Sequence, residues 1–197
     1  MRLGKGLHGA LLAAIGILAI LAVQPPAPRG PTAPASSFSA YRARAHVRAI
    51  AAQPHPMGSA AQANVQRYLL GQLAQMGVAA QVWQPQPQGP ADIVARLRGA
   101  HSTGALLLVA HYDTMPAAPG GADNASGVAT VLEVVRALQA GPPLRNDLIV
   151  LLSDGEEKGL LGARAFAAAH PAMAQVRVAL NLDTASYGPI ILVAAGP

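Results

Sequence analysis

Two adjacent glutamates, Glu156 and Glu157, stand just past the apolar run DLIVLL of residues 147–152, in the glycine-punctuated turn SDGEEKGLLG. The run ALLLVA of 105–110 leads into His111, Tyr112 and Asp113, and VRVALNL of 176–182 leads into Asp183. Asp123 precedes a helix-like segment that follows the first of these runs. One histidine and five of the nine acidic residues therefore gather at the ends of three strand-like runs. Clustered carboxylates repel one another unless a cation neutralises them. One imidazole with several carboxylates suits zinc, with manganese and cobalt as alternatives. In the H-x-D step, Asp113 lies on the same side of an extended chain as His111 and can accept the ring's other N–H, fixing its tautomer. Adjacent glutamates on an extended segment point apart. One can hold a metal while the other faces a bound water.

Each piece also has an ordinary reading. His111 can be a satisfied polar residue at a strand end, Asp123-Asn124 a helix cap, Glu156-Glu157 a solvated turn, and Asp183-Thr184 turn chemistry. Four such coincidences at the correct strand ends are much rarer than one, so the joint pattern favours a metal site.

The elements that would carry these residues are legible as a pattern. FSAYRARAHVRAIAAQ, from Phe38, has helical spacing and is stopped by Pro54 and Pro56. Ser59 can cap a second helix, with Val65, Leu69, Leu73 and Met76 on one face and Gly77 at its end. VAAQVW, ADIVARLR and ALLLVAH read as strands, ASGVATVLEVVRALQA as a helix, DLIVLLS as a strand, ARAFAAAH as a helix, and VRVALNLD and PIILVAA as strands. Helices alternating with non-alternating apolar strands predict an α/β domain: a mixed, largely parallel sheet covered by helices on both faces. Ligands of open α/β sheets bind at the carboxyl edge of the strands, where the His and acids gather.

Ahead of the domain, Arg2 and Lys5 precede an apolar run from Leu7 to Val23. A signal peptide and an uncleaved anchor compete for this run. No A-x-A follows it closely, and its length approaches a membrane span, so the anchor is favoured. The basic residues then put the N-terminus in the cytoplasm and the domain outside it. Residues 25–37 are rich in Pro, Ala and Ser and read as a linker. The expected division is an anchor over 1–24, a linker over 25–37 and a catalytic domain over 38–197.

Composition narrows the functions further. Just over half of the 197 residues are apolar (52%) and 12% are charged, enough for one sizeable core. The net charge of +5 is dispersed, with no Lys/Arg block, which argues against nucleic-acid binding. Cysteine is absent, so disulfides, thiolate catalysis and Cys-ligated zinc are excluded.

HYDT, GADNASGVATVLEVVRAL, SDGEEKGLLGARAFA and NLDTASYGP occur in the order and spacing of the co-catalytic zinc aminopeptidases, peptidase family 28. The chain resembles that family from about residue 38 to its end, and the segment around 38–73 resembles the family's membrane-anchored branch. The resemblance implies that His111 and Asp183 bind one zinc, Glu157 binds a second, and Asp123 bridges both. It makes Glu156 the general base and Asp113 the residue that orients His111. It also implies a cis peptide bond between Asp123 and Asn124. The implied reaction is hydrolysis of a peptide bond next to a free N-terminus, through a metal-bridged water. The implied partners are peptides with a free N-terminus and, through the N-terminal helix, a membrane. The family's last ligand is a histidine well beyond Asp183, whereas the last histidine here is His170, a surface residue by this reading. The expectation is therefore a C-terminally truncated domain with an incomplete sheet, one tight zinc and weak activity. Related di-zinc carboxypeptidases share H-x-D and E-E, and glutaminyl cyclases share DGEE, but DNASG favours the aminopeptidase type. A metal-free receptor-like ectodomain is the non-enzyme alternative.

Overall fold

The computed structural model describes residues 5–22, 27–183 and 192–193. An apolar helix comes first, α1 (Lys5–Ala22), with Leu11, Leu12, Ile15 and Leu18 all more than half exposed. Eighteen residues rise only about 27 Å, against a hydrocarbon core of about 30 Å. Among the described residues no helix is long and apolar enough to cross a membrane, so the expected transmembrane helix is not shown by the structure.

The domain begins with α2 (Ala40–Ile50) and α3 (Ala60–Gln75), entered where Ser39 and Ser59 accept the N–H groups of Arg42 and Gln62. The strands are β1 (Ala80–Trp83), β2 (Asp92–Leu97), β3 (Ala105–His111), β4 (Asp147–Ser153), β5 (Val176–Asn181) and the short β6 (Leu192–Val193). Helix α4 (Ser126–Gln139) connects β3 to β4, and α5 (Leu161–Ala169) with a 3₁₀ turn (Pro171–Gln175) connects β4 to β5. Of the segment PIILVAA, only residues 192–193 lie within the described part.

The sheet order is β1-β2-β4-β3-β5-β6. Only β3–β4 and β3–β5 are parallel; β1–β2, β2–β4 and β5–β6 are antiparallel. The sheet is mixed, as expected from the sequence, but less parallel than expected: a parallel centre is flanked by antiparallel pairs. Strand direction is set by the connections, and the apolar pattern alone does not carry it. All seven residues of β4 are buried, which is why this strand reads as an unbroken apolar run.

Helices cover both faces, as expected. On one face, Ile93, Ala95, Leu108, Val150 and Leu152 meet Leu69 and Leu73 of α3 and Val128, Val131, Leu132 and Val135 of α4. The α4 residues recur at helical spacing, and each fully buried side chain stabilises by about 1.5–3 kcal/mol. On the other face, Val94, Leu107, Ile149 and Leu151 pack on Phe166 of α5. The chain leaves β3 for β4 on one side, and β5 later docks on the other. The carboxyl end of β3 is therefore the point where the winding reverses, the usual place for a ligand crevice.

The segment before α2 is bound to the domain by its carbonyls. Ser39 Oγ donates to the carbonyls of Arg29 and Gly30. Arg42 donates to those of Pro31, Ala33, Pro34 and Ser37, and Arg136 to those of Ala35 and Ser37. Both guanidiniums also hold the fully buried Glu133, by Arg42 Nε at 3.0 Å and Arg136 Nε at 2.6 Å.

Candidate metal centre

His111 is the last residue of β3, opposite Ser153 of β4. On its other side β5 runs alongside β3 as far as Leu182, whose N–H reaches Val109 O at 2.8 Å, and Asp183 comes next. His111 Nε2 lies 3.0 Å from Asp123 Oδ1, 3.5 Å from Asp183 Oδ1 and 4.0 Å from Glu156 Oε2. One donor atom from each of His111, Asp123 and Asp183 falls within 4.8 Å of the others. Glu157 lies outside that group.

Asp123 reaches the edge through an irregular turn, Gly121–Ala125, and its peptide bond to Asn124 is cis, as the resemblance implied. Asn124 is buried and ties this turn down. Its Nδ2 donates to Leu182 O at 2.8 Å, and its Oδ1 accepts the Gly127 N–H at 3.1 Å. The cap at the start of α4 is therefore made by Asn124, and Asp123 is left for the edge. A β-carbon at position 127 would collide with Asn124 Oδ1 and Leu182 O, so glycine is required there. The same amide thus fastens the segments that present Asp123 and Asp183.

Asp113 does more than the H-x-D spacing indicated. His111 Nδ1 is 3.1 Å from the carbonyl oxygen of Asp113 and 3.5 Å from its carboxylate. The carboxylate accepts the N–H of Glu156 at 3.0 Å and of Glu157 at 3.3 Å. One buried acid thus orients the ring and the glutamate turn together. With Nδ1 given to Asp113, Nε2 is free to offer its lone pair to a metal.

The electrostatics call for positive charge. Burial works against a charged His111, but the bond and charge of Asp113, then Asp183 and Glu156, push its pKa up to about 9. Burial raises the pKa of Glu156, with Asp183, Glu157 and Asp113 adding to it and His111 opposing. Burial and then Asp123 raise that of Glu157. Asp113 runs the other way: burial would raise its pKa, and the His111 bond and the two amides bring it below the ordinary range. A cation-seeking group of one imidazole and two carboxylates, with a third carboxylate of raised pKa beside it, fits a catalytic metal site.

Two other histidines lie outside this group. His55 is buried, its Nδ1 2.9 Å from Gln53 O, and its N–H donates to Thr114 Oγ1. His170, expected at the surface, is partly buried, stacks on Phe166 at 4.4 Å and accepts the Ala172 N–H. The bond from Asn124 to Leu182 and a buried pair of acids, Asp92 and Asp154, escaped the sequence reading. Asp154 precedes the glutamates by two residues, and that adjacency was its one available signal.

The profile described as Peptidase family M28 matches residues 92–197. Among curated relatives, the vacuolar membrane protease of Candida albicans is 40% identical over 98 residues, 49% of this chain and 12% of that protein. The putative endoplasmic reticulum metallopeptidase 1-A of Caenorhabditis elegans is 38% identical over 110 residues, 54% of this chain and 12% of that protein. The matches thus span about an eighth of the length of these relatives. Among solved structures, the glutaminyl cyclase of Porphyromonas gingivalis is similar, with a TM-score of 0.66 and 26% identity, over 74% of this chain and 59% of that one. A leucine aminopeptidase precursor from Bacteroides thetaiotaomicron shares the fold, with a TM-score of 0.64 and 21% identity, over 76% of this chain and 63% of that one.

Proposed function

The chain belongs to peptidase family M28, a family of metal-dependent peptidases, and on that footing we propose that it hydrolyses peptide bonds as a zinc aminopeptidase. One observation carries the reading: His111, Asp123 and Asp183 converge within 4.8 Å at the carboxyl edge of the sheet, with Glu156 Oε2 4.0 Å from the ring. In this reading His111, Asp123 and Asp183 hold one zinc, and Glu157 with a share of Asp123 contributes to a second. Zinc there supplies Lewis acidity, drawing electrons from the scissile carbonyl and acidifying water. Glu156 takes a proton from the attacking water and gives it to the leaving amine as the C–N bond breaks. Its raised pKa suits that double duty. Asp113 holds His111 and the Glu156 turn in register. The substrate is a peptide with a free α-amine, which the acidic edge attracts.

The glutaminyl cyclase likeness favours a second reading on the same residues, cyclisation of an N-terminal glutamine. One experiment separates them. The zinc-loaded chain is incubated with a peptide beginning in leucine and one beginning in glutamine, and the products are weighed. Release of the first residue with addition of water supports the aminopeptidase. Loss of ammonia from the glutamine peptide supports the cyclase. Turnover that survives chelation and the Glu156→Gln substitution would sink both.

The exposed Leu and Ile side chains of α1, together with relatives named vacuolar membrane protease, support attachment to a membrane through the N-terminal helix. In this proposal the domain lies on the extracytoplasmic side. A fused reporter active only outside the cytoplasm tests the orientation, and a strong cytoplasmic signal would overturn it.

A further inference from the structure

Beneath the glutamate turn lies a pair of acids that the chemistry above does not use. Asp92 opens β2, and Asp154 follows β4; the last matched backbone pair between these strands is Ile93 with Leu152. The two side chains continue the ladder past it. Asp154 N–H donates to Asp92 Oδ1 at 2.9 Å, and Ala91 N–H donates to Asp154 Oδ2 at 2.9 Å. Asp154 Oδ1 also accepts from Gln62 Nε2, and Gln62 Oε1 accepts the Gly58 N–H at 2.7 Å. The turn closes on the same point, because Gly162 N–H donates to Asp154 O at 2.9 Å. A β-carbon at Gly162 would collide with Asp92 Oδ1, so α5 starts directly against this carboxyl. Both ends of the loop that carries Glu156 and Glu157 therefore rest on Asp92 and Asp154.

We propose that Asp92, as the neutral acid, is the positioning residue for the Glu156–Glu157 turn, acting through its bond to the Asp154 N–H. The charged and titratable groups that act on it are Asp154 and Asp113, and its own charge acts on Tyr112 in turn. Three buried acids sit close together, and their partners differ. Asp113 has His111 and two amides; Asp154 has Ala91 N–H and Gln62. Among the described residues, Asp92 has one N–H on Oδ1, and its buried Oδ2 has no partner. A bare oxygen costs far less as a neutral hydroxyl than as half of a buried anion. Burial, then the charges of Asp154 and Asp113, push the Asp92 pKa up to about 7 against the opposing Asp154 N–H. Ionisation would set a third charge beside the other two and force the Asp154 end of the turn outward.

The inference rests on Glu156 as general base, so its test includes readouts that need no turnover. In the full zinc-loaded chain, the Asp92 carboxyl carbon is followed by NMR against pH, and amide exchange is measured at Asp154, Glu156 and Gly162. The expected midpoint for Asp92 is near 7. Asp92→Ala should speed exchange at these amides and lower kcat on the order of 10- to 100-fold, with KM little changed. Asp92→Asn keeps a neutral acceptor and should recover most of both losses. Should the alanine variant not fold, the carboxyl titration and the asparagine variant decide alone. An Asp92 already ionised at pH 5, or wild-type exchange in Asp92→Ala, overturns the proposal. A wild type that binds zinc but hydrolyses nothing sinks the hydrolase reading, and exchange and titration still judge this one.

Discussion

Glu133 and the carboxylates around His111 are acids taken from water by the same small fold, with opposite outcomes. Glu133 is fully buried, yet Arg42, Arg136 and the Ser39 N–H surround it. Burial would raise its pKa; the Arg136, Ser39 and Arg42 bonds bring it below the ordinary range. At the sheet edge the positive group acting on Glu156 and Glu157, among the described residues, is the imidazole of His111, and both pKa values are raised. The chain has 14 basic residues, so it could have sent an arginine to this edge. Charge compensation supplied from within makes Glu133 structural. Charge compensation left to an outside cation makes the edge a site.

The largest test of that contrast is catalytic. Glu156→Gln should lower turnover on the order of 10²- to 10⁴-fold while metal content by elemental analysis stays near normal. Glu157→Gln should lower the metal content as well; the reverse pattern would exchange the two roles. Next comes stability. Glu133→Ala strands two guanidiniums and should cost about 3–5 kcal/mol in denaturant unfolding, with activity per folded molecule retained. In the metal-free chain Glu157→Gln should instead stabilise by about 0.5–1 kcal/mol, because it removes a repelled charge.

The pH response has opposite signs in the two regions. Glu133, with its pKa lowered from 4.5, contributes stability above that value and loses it as pH falls through the lowered one. Asp92, raised from 3.8 to about 7, is stabilising at low pH and loses that contribution as pH rises between those values. Melting curves of Glu133→Gln should thus flatten on the acid side, and those of Asp92→Asn between about 4 and 7. The smallest expected effect is that of Arg42→Lys. It keeps the charge and loses the fork, for about 1 kcal/mol and faster proteolysis within 29–37. Unchanged proteolysis would mean that the carbonyl contacts of Arg42 hold nothing.

What the sequence revealed and what it hid follow from the kind of group that carries each contact. The strand ends and three proposed ligands were legible because apolar runs mark strands and acids are scarce. The Asn124 bond to Leu182 and the roles of Asp92 and Asp154 were not, because they depend on partners 58, 62 and 63 residues away. That antiparallel pairs flank the parallel centre on both sides was hidden, since an apolar strand reads alike both ways. The Pro- and Ala-rich stretch before α2 reads as a spacer because it bonds through its carbonyls, which every residue has. The signal lay on Arg42, Glu133 and Arg136.

Those three side chains also set a length. Seven peptide steps separate Ala22, the end of α1, from Arg29, where the carbonyl contacts begin, a reach of at most about 25 Å. Released as far as Ser39, the leash would grow to 17 steps and about 60 Å. Glu133, bonded to residues 91 and 94 positions earlier in the chain, thereby reels in the tether. The anchoring point of the domain at Arg29 is held within less than half the distance from the apolar helix that seventeen free steps would permit.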